Sequence, residues 1–169
     1  MAVNAARRAH PLKIAGLVLG LLIVALLAAA FWLCGALRDA QAAADDRDAA
    51  IQAAGAHALD LLSVSHRTVD ADIKRILDTS TGAARAEYTR TLAELKKTTV
   101  KNKVLQTGAL RASGIVSRKG NTAQVMVVGD VVVRWEGSKD APQERFYRWN
   151  MQVTKVGTSW LVSKAELVL

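Results

Sequence analysis

Histidine, aspartate and tyrosine are the residue types from which a general acid or base would be drawn. In this chain His57, His66, Asp60, Asp70, Asp72 and Tyr147 are the candidates. Proton transfer needs such a group in an apolar pocket, where burial tunes its pKa, together with a partner that orients it. His57 and Asp60 lie three residues apart, a spacing that on a helix lets a carboxylate orient an imidazole. A solvated helix face explains that spacing equally well, and no other pair is positioned by its spacing. The histidines lack the spacing of metal ligands, and Cys34 lies within an apolar run. No P-loop, dinucleotide fingerprint or nucleophile elbow is present. The sequence therefore predicts a protein without catalysis, cofactor or metal.

Contact chemistry is better represented. Lys96, Lys97, Lys101 and Lys103 fall within eight residues. Such a run can meet anionic lipid headgroups or an acidic partner, and it can equally be a solvated helix end whose lysines complement the dipole. Trp135 and Trp149 lie in strand-like segments, where an outward tryptophan marks an interface and an inward one packs a core. These six residues are the candidate partner or lipid contacts. The formal net charge is +8. That surplus suits a surface near anionic lipid, but no RNA- or DNA-binding motif accompanies it, so nucleic acid is not expected as a partner.

The elements that must position these residues follow from periodicity. Residues 38–62 are rich in alanine and predict a helix that can continue the segment before it, whose apolar face strengthens through Ile51, Ala54, Ala58 and Leu62. Its first part, 38–56, is polar enough to stand in solvent as a stalk. A second helix starts after Thr68 as N-cap, with Asp70 and Asp72 in its first turn and Val69, Ile73, Ile76 and Leu77 inward. Arg67 and Asp70 are spaced to pair there. Thr79 to Gly82 breaks the helix, and a third runs over 83–98 with Tyr88, Leu92 and Leu95 on one face. The period then changes to that of strands, expected over 106–117, 122–136, 145–156 and 160–169. Gly120 serves the first hairpin turn, where positive φ is needed. Helices first and an antiparallel meander after is an α+β plan, with helices on one face of the sheet.

Residues 14–37 carry no charge. About 20 apolar residues span a hydrocarbon core of roughly 30 Å, so this run is a transmembrane helix. It is too long for the apolar core of a cleaved signal peptide. Arg7, Arg8 and Lys13 precede it, whereas Asp39, Asp45, Asp46 and Asp48 follow, which places residues 1–13 in the cytoplasm and 57–169 outside as a folded domain. The single cysteine, Cys34, excludes an intrachain disulfide, and the bulky Phe31, Trp32 and Leu33 before it do not fit a lipoprotein site.

Three stretches carry a family resemblance. Ser65-His66-Arg67-Thr68-Val69-Asp70-Ala71-Asp72-Ile73 is similar to a "YRTLDxDI" segment, with His66 at an aromatic position. Thr81-Gly82 followed by Glu87-Tyr88 is similar to a "TGxF…Y" step. Tyr147-Arg148 through Gly157-Thr158-Ser159-Trp160-Leu161-Val162-Ser163 is similar to a closing "YR…V…V-G-x-W-L-V-S". In this order behind one anchor, they resemble the actinobacterial Mce-associated membrane proteins. The resemblance implies an NTF2-like (cystatin-like) cone of three helices packed on a curved antiparallel four-stranded sheet. It also implies a non-catalytic accessory subunit of an Mce-type lipid importer in the cell envelope. Its partners would be Mce-domain proteins and the permease, with membrane lipid met through the anchor. The alternatives are an assembly scaffold of a type IV secretion-like machine, which shares the anchor-plus-domain plan, and a small-ligand-binding domain of the same fold.

Overall fold

A computed structural model describes residues 9–168, with side chains from Ala15. Arg7 and Arg8 lie outside the described residues, as does the side chain of Lys13. The elements in chain order are α1 (Ala9–Leu62), α2 (Val69–Asp78), α3 (Gly82–Lys101), β1 (Val104–Lys119), β2 (Thr122–Trp135), β3 (Gln143–Val156) and β4 (Ser159–Leu167). The strands form one antiparallel meander in the order β1-β2-β3-β4. Helices and strands thus fall where periodicity put them, and the expected continuity holds: the apolar segment and the alanine-rich segment are one 54-residue helix.

The chain forms two compact units, Met1–Asp45 and Asp46–Leu169. In the first, residues 15–44 expose their side chains, and the helix is long and apolar enough to cross a membrane. The second unit corrects the expected stalk. Residues 46–56 belong to the folded domain, because Ala50, Ala54 and Ala58 recur every four residues and are fully buried. Alanine brings the helix axis close to whatever it packs on, so the polar neighbours that suggested a stalk are simply its other face.

That packing partner is the inner face of the sheet. Val125, Val127, Val131 and Val133 of β2 join Met151 and Val153 of β3, and Trp160 and Val162 of β4, in one core with the alanine stripe and Leu62. Leu62 rests on two glycines: a Cβ at Gly108 would stand 2.2 Å from the Leu62 Cβ, and one at Gly129 would stand 2.7 Å from its Cδ1. A smaller cluster of Val64, Val69, Ile76 and Leu92 holds α2 and α3 together. Two connectors add backbone bonds to the sheet. Gln106 N–H donates to the Val64 carbonyl (3.0 Å), and Thr81 N–H donates to the Val162 carbonyl (2.8 Å). Asp46 closes the other end, accepting from Lys155 on β3 and from Arg118 on β1 (2.9 Å). Gly120 has φ +57 in the β1–β2 turn, as that turn requires.

Candidate functional site

The first turn of α2 is organised by a carboxylate. Asp72 is fully buried, and its Oδ2 accepts from Ser65 N–H and from the Thr68 hydroxyl, both at 2.9 Å. Its Oδ1 accepts from Arg75 at 2.7 Å. Arg75 also donates to Asp60 (3.2 Å), and the Asp72 bond, followed by that to Asp60, holds the guanidinium pKa above its ordinary value. Thr68 stands at the N-cap position, but its hydroxyl donates to Asp72 and does not cap the helix. Nor do Arg67 and Asp70 pair. Arg67 reaches Glu136 at the end of β2, and Asp70 takes Lys96 of α3. Arg67 lies in the turn before α2, whereas Asp70 is on α2, which packs against α3. Glu136 also meets His66 Nε2 at 2.8 Å, and Arg67 holds the Glu136 carboxyl below its usual range.

Beside this turn, the last two turns of α3 present Ala93, Lys96, Lys97, Val100 and Lys101 around an open groove of about 370 Å³. These positions recur at spacings of three and four, so they share one flank of the helix. A second depression of about 440 Å³ runs from Lys96 and Val100 onto residues 66–71. The two share Lys96 and Val100. Lys96, Lys97 and Lys101 are thereby brought together, whereas Lys103 lies beyond the groove in the turn before β1, with φ +49. The tryptophans do not join them. Trp149 is buried and stacks on Tyr147 (centroids 5.2 Å apart, planes 14° apart), and Trp135 is half-buried against the main core. Trp149 as a partner contact is thus corrected: its position in β3 alternates inward with Met151 and Val153.

The acid–base candidates also separate. His57 is fully buried, but its partners are Thr79 and Tyr88, not Asp60. The Thr79 hydroxyl donates to the Arg75 carbonyl (2.8 Å), so it accepts from His57 Nδ1–H (2.7 Å), and Nε2 accepts from the Tyr88 hydroxyl (3.0 Å). Burial pushes the imidazole down to about 4 and the phenol up to about 12. Both ring nitrogens are committed and the ring is neutral, so this cluster joins α1, α2 and α3 and offers no free base. Sequence spacing missed it because the partners lie 22 and 31 residues away. Tyr88 borders a shallow depression of about 200 Å³ with Glu87 and Lys164. Among the described residues no group of three or more His, Cys, Asp or Glu could hold a metal.

Residues 12–169 match the family described as uncharacterized protein Rv1363c/MT1408-like. The chain belongs to that family. An Rv1363c/MT1408-like relative, the uncharacterized protein Rv1363c of Mycobacterium tuberculosis, is 31% identical over 123 residues. Those residues are 71% of this chain and 46% of the relative, so the chain spans less than half of its relative's length. Among solved structures, the periplasmic domain of DotI gives a TM-score of 0.59 at 13% identity, covering 70% of this chain and 91% of that one. VirB8 of Agrobacterium tumefaciens gives 0.59 at 10% identity, covering 73% and 92%. An IcmL-like type IV secretion system protein from Legionella pneumophila gives 0.58 at 12% identity, covering 70% and 88%. At these identities the likeness is one of fold, and that fold is NTF2-like.

Proposed function

We propose that this Rv1363c/MT1408-like chain is a non-catalytic, membrane-anchored subunit that acts through protein contacts in a cell-envelope assembly, and that the assembly is an Mce-type lipid importer. The observation that carries the non-catalytic part is the filled interior. The alanine stripe of α1 sits directly on the sheet, Leu62 meets two glycines, and the buried imidazole is discharged and bonded on both nitrogens. A catalytic cone would need space and an available acid or base in that place. Contact chemistry lies outside, in the lysine-rimmed groove of α3. The basic residues before the apolar segment favour an N-terminus in the cytoplasm and a folded unit outside, at the cell membrane. The resemblance of the 65–73, 81–88 and 147–163 stretches to Mce-associated proteins favours the Mce permease and Mce-domain proteins as partners.

Affinity purification of the tagged full chain from native membranes in mild detergent tests this reading. The expected result is recovery of an Mce permease and Mce-domain proteins at near-stoichiometric levels. Recovery of secretion components would favour the second reading, an assembly scaffold of a type IV secretion-like machine, for which the fold likeness to VirB8 and to the periplasmic domain of DotI is the motivation. Recovery of nothing specific would count against both.

A further inference from the structure

The helix α3 meets the rest of the folded unit along a narrow line. Of its 20 residues only Ala84, Leu92 and Thr99 are buried, and Tyr88 is half-buried. The exposed remainder is patterned. Ala86, Ala93 and Val100 recur every seven residues and are all exposed, Val100 at 47%. Seven residues are nearly two full turns, so the three form a second line along the helix, on a flank away from Leu92 and Thr99. Lys96 stands on one side of that line, and Arg90, Lys97 and Lys101 stand on the other. Glu87 and Glu94 lie on the next flank, where Glu87 pairs with Arg90 and Glu94 lies 3.9 Å from Lys97. Lys96 is held by Asp70 of α2. Among the described residues Lys101 has no ion pair.

The helix dipole accounts for cations in the last turn of α3. It does not account for an apolar line between two basic rows. That pattern is one half of a two-helix seam, with apolar contacts at its centre and charges beside it that choose the partner. Alanine at the centre lets a second helix axis approach to about 8 Å, the close end of the usual range. Because both rows are basic, a second α3 set in this seam would oppose like charges, whereas a helix flanked by Asp or Glu would match them.

Position separates a protein partner from a lipid surface. Asp46, where the chain enters the folded unit, binds Arg118 and Lys155 beside the β1–β2 and β3–β4 turns. The last turn of α3 leads instead into Val104, at the opposite end of β1. At about 3.3 Å per residue, a strand of this length sets the two ends several tens of ångströms apart, against a screening length of about 10 Å. The basic seam is thus remote from the point where the tether enters. We infer that the Ala86–Ala93–Val100 line is a docking seam for an acidic amphipathic helix of a partner protein, with Lys96, Lys97 and Lys101 meeting its carboxylates. This deepens the reading of the α3 groove as the contact surface and rests on it.

A photoreactive benzoylphenylalanine placed at Val100 in the full chain, irradiated in native membranes and followed by digestion and mass spectrometry, tests this. The expected adduct is a peptide segment with apolar residues at spacings of three and four and Asp or Glu beside them. Lys97→Glu with Lys101→Glu should reduce it at least tenfold, whereas Lys97→Arg with Lys101→Arg should preserve it. The melting temperature should hold in both, because these side chains are exposed. The same probe at Thr98, on another flank of α3, should give less than a tenth of the adduct. A lipid adduct, a second copy of this chain, a segment without acidic residues, no adduct, or an adduct indifferent to charge reversal would overturn the inference. The chemistry of the captured segment is read whatever protein carries it. An acidic helix from outside an Mce system would therefore sink the importer reading alone, and co-purification of an Mce permease without such an adduct would sink the seam alone.

Discussion

His57 gives the folded unit a measurable response to acid. Its pKa is pushed down to about 4 from the ordinary 6.5 by burial. Above pH 6.5 the ring is neutral both folded and unfolded, so its full contribution to stability is present there. As pH falls toward 4 the unfolded chain takes up a proton that the folded one refuses, and stability declines by about 3 kcal/mol over that window. Urea unfolding of the full chain in detergent, followed by tryptophan fluorescence, should show the midpoint falling steadily between pH 6.5 and 4.5. His57→Gln should flatten that slope while lowering the midpoint at pH 7. An unchanged slope in the variant would remove the histidine from the account. The carboxyls of Asp46, Asp130 and Glu136, each held low by a basic partner, lose their pairings only at still lower pH.

At the scale of elements, the contact of α1 with the sheet depends on what is missing from β1 and β2. Gly108→Ala would force the Leu62 end of α1 away from the sheet, because the Leu62 backbone carbon and oxygen also lie 3.1 Å from the added Cβ. We expect a loss of about 1–3 kcal/mol, read as a lower melting temperature. Gly114→Ala, pointing the other way into open space, should change it little. The order of helices and strands was legible because period 3.6 gives way to period 2 near Val104. The domain boundary was not. Ala50 and Ala54 look identical in a stalk and in a core, and only the sheet core they join, with Val125, Val127 and Val153 far later in the chain, decides between the two. Trp149 was misplaced for a related reason, since strand parity fixes its face only once the neighbouring Val127 is known. The groove lysines were legible as a cluster, while the His57–Tyr88–Thr79 cluster was not, for want of any local spacing.

For the whole molecule, the groove on α3 is where charge and apolar surface coincide. Reversing three charges together (Lys96→Glu, Lys97→Glu and Lys101→Glu) should cut capture of partner proteins at least tenfold, with little change in melting temperature, because these side chains are exposed. Lys103→Glu alone, outside the groove, should have a smaller effect. Capture by the unaltered chain should weaken as salt rises, since exposed charges are screened within about 10 Å at 0.1 M. Capture that ignores both salt and charge reversal would move the contact elsewhere.

The single long α1 also sets the order of assembly. Synthesis delivers Ala50 to Leu62 before any strand exists, and Val125 to Val133, which bury that stripe, follow some sixty residues or more later. At roughly 5–20 residues per second, the helix waits on the order of several seconds with its inner face uncovered. A stripe of leucines would be an aggregation hazard during that wait, whereas alanines expose little apolar area and still favour the helix. The small residues that let α1 lie close to the sheet therefore also make its early arrival safe.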